Sequence, residues 1–181
     1  MKSWLQNLDP QIHLEKSRQA TSHLIFHSLW KESQTILLYV ALSWELETKF
    51  LIQHAWEIGK TIVLPQVSGE HLLLHKVASE QELKLGSFNI HEPDGSVCEQ
   101  ILLKEIDLMI VPGMAFDSTG RRLGKGKGYY DRLLAAPERR ARAGGLFFSE
   151  QEVPLLLHED HDVELDFIVT EKGFLDFSKE K

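Results

Sequence analysis

The amino-acid sequence predicts an α/β fold: one layered domain over residues 1–181, with a mixed, mainly parallel sheet flanked by helices. Short apolar, β-prone runs alternate along the chain with stretches of helical periodicity. Residues 35–65 form a strand–helix–strand unit, which implies a right-handed parallel crossover. Further on, a glycine-rich loop leaves an apolar strand and enters a helix, where open α/β sheets bind their ligands. The expected architecture is three-layer and Rossmann-like.

Each element has a local reason. Asp9 serves as an N-cap before Pro10 at the first helical position. Leu14, Ala20, Leu24, Ile25, Phe26 and Leu29 then recur at helical spacing, so the first helix is expected to reach about Leu29. Thr35–Ala41 is short, apolar and bounded by polar residues, as a buried strand is. Ser43 is the expected N-cap of a second helix with Leu46, Phe50, Leu51, Ala55 and Ile58 on one face, closed by Gly59 and Lys60. Glu45 and Glu47 would lie in its first turn, where the helix dipole favours acids whether or not a ligand is present. Strands follow at Thr61–Pro65, His71–Val77 and Ile106–Val111, then a helix at Tyr129–Ala135, then strands at Ala143–Phe148 and Asp166–Thr170.

The bulk composition narrows the function. At 181 residues one substantial core is feasible, and 43% hydrophobic with 26% charged residues is ordinary for a globular protein. A formal charge of −7 argues against a general nucleic-acid binder, whose footprint is basic. Cys98 is the only cysteine, so neither an intrachain disulfide nor a multi-cysteine zinc site can form; it reads as an unreactive surface or strand thiol. The first residues lack a signal-peptide core, and no apolar run approaches the roughly 20 residues that span a bilayer. A cytoplasmic monomer with no membrane or nucleic-acid partner is expected.

The chemistry concentrates in one loop. Val111 ends an apolar strand and Pro112-Gly113 turns the chain. Gly124, Gly126 and Gly128 then alternate with Lys125 and Lys127 before a helix begins. Glycines at every second position let the backbone approach a ligand and aim several N–H groups at it. Arg122, Lys125 and Lys127 add positive charge suited to a polyphosphate, and the following helix start favours an anion. Asp131, in the first turn of that helix, is placed to hold a magnesium ion bridged by the same phosphates. The pattern is neither a Walker loop nor the dinucleotide fingerprint. The bland alternative is a solvated basic loop with two tyrosines in the core.

Val111-Pro-Gly-Met-Ala-Phe-Asp117, Gly120 and Arg122-Leu-Gly-Lys-Gly-Lys-Gly-Tyr-Tyr-Asp131 together resemble the signature of the 5-formyltetrahydrofolate cyclo-ligase family. Glu45-Leu-Glu-Thr48, Gly59–Pro65, Phe88–Pro93, Gln151, His161-Asp162 and Ile168–Glu171 continue the resemblance in the family's order, from about Arg18 to Glu171. The resemblance implies ATP-dependent cyclisation of 5-formyltetrahydrofolate, with or without a polyglutamate tail, to 5,10-methenyltetrahydrofolate, with magnesium and without an enzyme nucleophile. It implies that Arg122, Leu123, Gly124, Lys125, Gly126, Lys127, Gly128, Tyr129 and Tyr130 cradle ATP. Val40, Glu45 and Lys125 to Tyr129 would face the folate, with Glu45 toward the paired N–H donors of the pterin. Lys127, Arg122 and Tyr129 are the implied catalytic groups, and Asp131 and Asp162 the metal carboxylates. Members open with a helix bearing a lysine and a Leu-Arg pair that contact ATP; aligned from Arg18 and Glu45, this chain starts after those positions, and Lys2 falls too late for either.

Two other readings stay open at this stage. One is a catalytically weak folate-binding relative; the other is an RNA-binding module gripping through its Lys–Gly–Tyr loop. The pairs His23/His27 and His158/His161 stand near metal-ligand spacing, but nine histidines make such pairs expected by chance, and neither is read as a metal site.

Overall fold

A computed structural model describes residues 2–86, 90–157 and 162–177. The helices are α1 (Lys2–Gln6), α2 (Pro10–Ile25), α3 (Ser28–Glu32), α4 (Lys49–Glu57) and α5 (Tyr129–Ala135). The strands are β1 (Thr35–Leu37), β2 (Thr61–Ser68), β3 (His71–Lys76), β4 (Leu83–Leu85), β5 (His91–Pro93) and β6 (Leu108–Val111). Then come β7 (Ala115–Phe116), β8 (Arg122–Leu123), β9 (Arg142–Leu146), β10 (Phe167–Thr170) and β11 (Gly173–Asp176).

The main sheet has seven strands in the order β11-β10-β9-β6-β1-β2-β3. Its interior strands pair in parallel, while β11 and β3 close the edges antiparallel. The α/β expectation is therefore met. Two small antiparallel pairs, β4–β5 and β7–β8, stand outside it.

Alternation along β6 builds the layers. Leu108 and Ile110 share one core with Ala20 and Leu24 of α2 and Leu51 and Ala55 of α4. Met109 and Val111 share the other with Leu134 of α5. All four β6 residues are buried, as a parallel strand covered on both faces requires. Asp107 accepts from the backbone N–H groups of Gln34 and Thr35 at 2.9 and 2.8 Å, which holds the start of β6 to the start of β1.

Three expectations need correction. The second helix starts at Lys49, not Ser43, so Glu45 and Glu47 are not in a helical turn. The side chains of 45 and 48 compete with the helix for backbone groups: Thr48 Oγ1 donates to the Tyr39 carbonyl at 2.5 Å, and Glu45 accepts from Leu42 N–H at 2.9 Å. Such bonds stabilise a loop from 38 to 48 and leave β1 at three residues. The first helix ends at Ile25 and resumes as α3, capped by the ring of His27. Cys98 lies neither at the surface nor in a strand; it is buried in the turn after β5, and burial pushes its thiol up from its ordinary value. Among the described residues no helix is long and apolar enough to cross a membrane.

Candidate active site

The carboxyl ends of β1, β2 and β6 open on the same side, and the loop 112–128 rises from β6 over them. Its base is rigid. A Cβ at Gly113 would lie 2.8 Å from the Phe147 ring, so only glycine lets the turn pack there. Gln151 donates to the carbonyls of Gly113 and Met114 at 3.2 and 3.1 Å, and β7 pairs with β8 through Phe116 and Arg122. Asp117 holds the hairpin turn by accepting from Thr119 N–H at 2.9 Å, Thr119 Oγ1 at 2.6 Å and Leu156 N–H at 3.0 Å. Burial works to raise its carboxyl pKa, but these hydrogen bonds outweigh burial and hold it below the ordinary value.

The tip of the loop is the glycine–lysine stretch. Gly126 and Gly128 have φ of +83° and +65°, left-handed backbone that a side chain would strain. Gly128 precedes α5, and α5 is tied to the β2–β3 turn: Tyr129 Oη donates to the Gly69 carbonyl at 3.1 Å, and Arg132 Nε donates to the Glu70 carbonyl at 3.0 Å. Arg132 also donates to the Lys127 carbonyl at 3.1 Å, so one guanidinium fixes the tip against the sheet edge.

This tip divides two cavities. The first, of about 360 Å³, has apolar walls that include Val40, Pro65, Val67 and Leu72, with Tyr39, Glu45, Glu92 and Tyr130 among its polar groups and Arg122, Lys125 and Lys127 as its cations. The second is a polar cleft of about 760 Å³ bordered by Arg122, Lys127, Asp131, Arg132 and Asp162. Both volumes are in the range of small-molecule sites. Arg122, Gly124, Lys127, Gly128 and Asp131 border both.

Most of the residues singled out in the sequence gather here. Val40, Glu45, Lys125, Tyr129 and Tyr130 line the first cavity; Leu123, Gly126 and Asp162 border the second. Arg122 is buried: its guanidinium donates to the Pro112 carbonyl at 2.9 Å and forms an ion pair with Asp131. Glu45 is buried too, in an ion pair with Lys125, and its carbonyl meets His13 Nε2 at 2.8 Å. Burial pushes the Tyr39 phenol well above its ordinary range, helped by the Glu45 carboxylate; burial and Glu45 do the same to Tyr130. Both phenols are neutral hydrogen-bonding groups at any physiological pH.

Among the described residues no group of three or more His, Cys, Asp or Glu is placed to hold a metal ion. His23 meets the Glu171 carbonyl at 3.1 Å, and His27 stacks on Phe174 with centroids 3.8 Å apart, as structural histidines do. His158 and His161, and Phe88 and Asn89 of the Phe88–Pro93 motif, lie outside the described residues. The sequence reading missed Tyr39, Glu92 and Arg132. Arg132 is one helical turn beyond Gly128, and its position was the only signal. Glu92 is an acid within a strand, and Tyr39 directly precedes Val40.

The 5-formyltetrahydrofolate cyclo-ligase family profile matches residues 1–171. The 5-formyltetrahydrofolate cyclo-ligase of Mus musculus is 32% identical over 182 residues, 94% of this chain and 90% of that one. That of Escherichia coli K12 is 31% identical over 167 residues, 90% of this chain and 92% of that one. The NMR structure of Aquifex aeolicus 5,10-methenyltetrahydrofolate synthetase is 32% identical and superposes with a TM-score of 0.87, covering 99% of this chain and 92% of that one. Profile, sequence and architecture agree over nearly the whole length, and the chain belongs to the 5-formyltetrahydrofolate cyclo-ligase family.

Proposed function

We propose that this chain is a single-domain, ATP-dependent ligase that converts 5-formyltetrahydrofolate to 5,10-methenyltetrahydrofolate, releasing ADP and phosphate. The observation that carries the reading is one cationic loop, 122–128, forming a common wall between an apolar cavity and a polar cleft. Moving a phosphoryl group from ATP to a folate requires the two held side by side, and alignment is the main thing a protein supplies to such a reaction.

In this reading the reduced pterin lies among Val40, Pro65 and Val67, with its paired N–H donors toward Glu45. The ATP phosphates lie in the cleft against Lys127 and the backbone of Gly124–Gly128. The formyl oxygen attacks the γ-phosphorus and the bond to the ADP oxygen breaks. N10 then attacks the formyl carbon and gives up its proton to solvent, and the carbon–oxygen bond breaks as phosphate leaves with the former formyl oxygen. Lys127, exposed on the common wall, offsets charge on the transferring group. Arg122 contributes a fixed buried charge that orients Asp131, and Tyr129, its hydroxyl held by Gly69, positions the loop.

Asp131 and Asp162 both border the cleft, and one or two carboxylates, with phosphate oxygens and water, are the donors magnesium takes. These two would hold it, and it would neutralise phosphate charge when bound. The proposal extends to a monomer acting on these small molecules in the cytoplasm, a polyglutamate tail on the folate included.

The test is optical. With ATP and magnesium, the protein is expected to turn 5-formyltetrahydrofolate into the methenyl chromophore, and Lys127→Ala is expected to lower kcat/KM by about 10²-fold. A folded wild type that produces no chromophore overturns the reading.

A further inference from the structure

One polar atom in the apolar cavity has no role in the reaction above. Tyr39 follows β1, is 3% exposed and lines the cavity, yet its hydroxyl has no hydrogen-bond partner among the described residues. A buried hydroxyl left unpaired is costly, on the order of 1–3 kcal/mol, so a native fold keeps one where a partner arrives later. The ring is also held in place: Thr48 Oγ1 donates to the Tyr39 carbonyl at 2.5 Å and accepts from Ala41 N–H at 3.2 Å, which pins the backbone on both sides of Val40.

The neighbours decide what that partner is. Glu45 and Glu92 are buried carboxylates of the same cavity, and at neutral pH carboxylates only accept hydrogen bonds. These two serve the N–H groups of a pterin and repel its ring carbonyl. The cavity's buried guanidinium, Arg122, is taken by Asp131, Lys125 is taken by Glu45, and Lys127 stands exposed on the loop. Tyr39, a neutral phenol, brings a donor to the same cavity.

We infer that Tyr39 is a substrate-positioning residue whose hydroxyl donates to the ring carbonyl of the reduced pterin, beside the N–H groups that a carboxylate accepts. This rests on the folate reading of the cavity. A donor next to an acceptor matches the carbonyl next to the N–H on the ring, and it fixes which way round the ring enters. Orientation then places the formyl group toward the common wall. The hydroxyl touches no reacting atom, so it acts on binding and not on the chemical step.

Tyr39→Phe tests this, since it removes one oxygen and keeps the ring. Because that oxygen is unpaired in the free protein, the variant is expected to melt at or above the wild-type temperature. Its KM for 5-formyltetrahydrofolate is expected to rise about tenfold, the loss of one net hydrogen bond, with kcat within about twofold of wild type. Calorimetry with 5-formyltetrahydrofolate and no ATP should show the same loss in affinity. An unchanged Kd beside normal wild-type turnover overturns the inference and leaves the proposed function standing. A lowered melting temperature together with lost binding overturns it as well, by making the hydroxyl structural. A wild type that neither binds nor cyclises the folate removes both readings at once.

Discussion

Asp117 shows how a single side chain can hold a site it never touches. It is fully buried, and its two oxygens accept from two backbone N–H groups and a hydroxyl at 3.0 Å or less, from elements on both sides of the polar cleft. Asp117→Asn puts an amide donor against at least one of those donors, and is expected to cost about 2–3 kcal/mol, or roughly 5–10 °C in Tm. Its carboxyl titrates below the unfolded value in the native protein, so its contribution is fully present above about pH 4 and disappears as pH falls through the folded value. The Tm gap between Asp117→Asn and wild type should therefore close below pH 4; a gap that widens there contradicts the assignment. Residue types and spacing made the glycine–lysine loop stand out in the sequence, because the loop is local and its character follows from composition, whereas Val40 and Glu45 came only with the resemblance to the family. The pairing of Arg122 with Asp131, and of Glu45 with Lys125, was not legible. Those contacts join residues 9 and 80 positions apart, whose meeting is decided by packing.

The elements that carry the site were legible where burial decided them. β6 is apolar at every position because helices cover both faces, and the sequence reads accordingly. The failure at 43–48 has the opposite cause. Leu46 is at helical spacing and is fully buried, but from a loop, because Thr48 and Glu45 bond to the backbone and stop the helix from starting earlier. Periodicity reports which residues face the core and not what conformation brings them there. The loop's glycines separate the same way. Gly120 has φ of +86°, and a Cβ there would lie 2.7 Å from the Leu165 carbonyl oxygen, whereas a Cβ at Gly126 meets nothing within 4 Å. Gly120→Ala is expected to destabilise the fold by about 2–4 kcal/mol, since backbone must shift as well as twist. Gly126→Ala should cost about 1 kcal/mol of stability and chiefly raise KM for ATP, because it stiffens the tip without disturbing the base. Denaturant melts and ATP titrations distinguish the two; equal stability losses would mean the tip is also structural.

At the scale of the whole molecule, Lys125 joins the two cavities structurally. The ammonium pairs with Glu45 in the apolar cavity and lies about 5.9 Å from the centre of the Trp44 ring, while its backbone belongs to the loop that walls the cleft. If, as proposed, the N–H groups of a pterin take Glu45, they compete with Lys125 for that carboxylate and release a positive charge onto the glycine–lysine loop. Folate should then raise the affinity for ATP, and linkage requires ATP to raise the affinity for folate by the same factor. A factor of about 5–20 is expected, equivalent to roughly 1–2 kcal/mol of coupling. Calorimetry with a non-hydrolysable ATP analogue, with and without 5-formyltetrahydrofolate, measures it in both directions. Lys125→Met keeps the length of the side chain and removes its charge. It should tighten folate binding in the absence of nucleotide, because no ion pair has to be broken, and bring the coupling factor close to one. If Lys125→Met instead weakens folate on its own and leaves the coupling intact, the lysine is a plain folate contact, and the communication between the sites runs through another part of the loop.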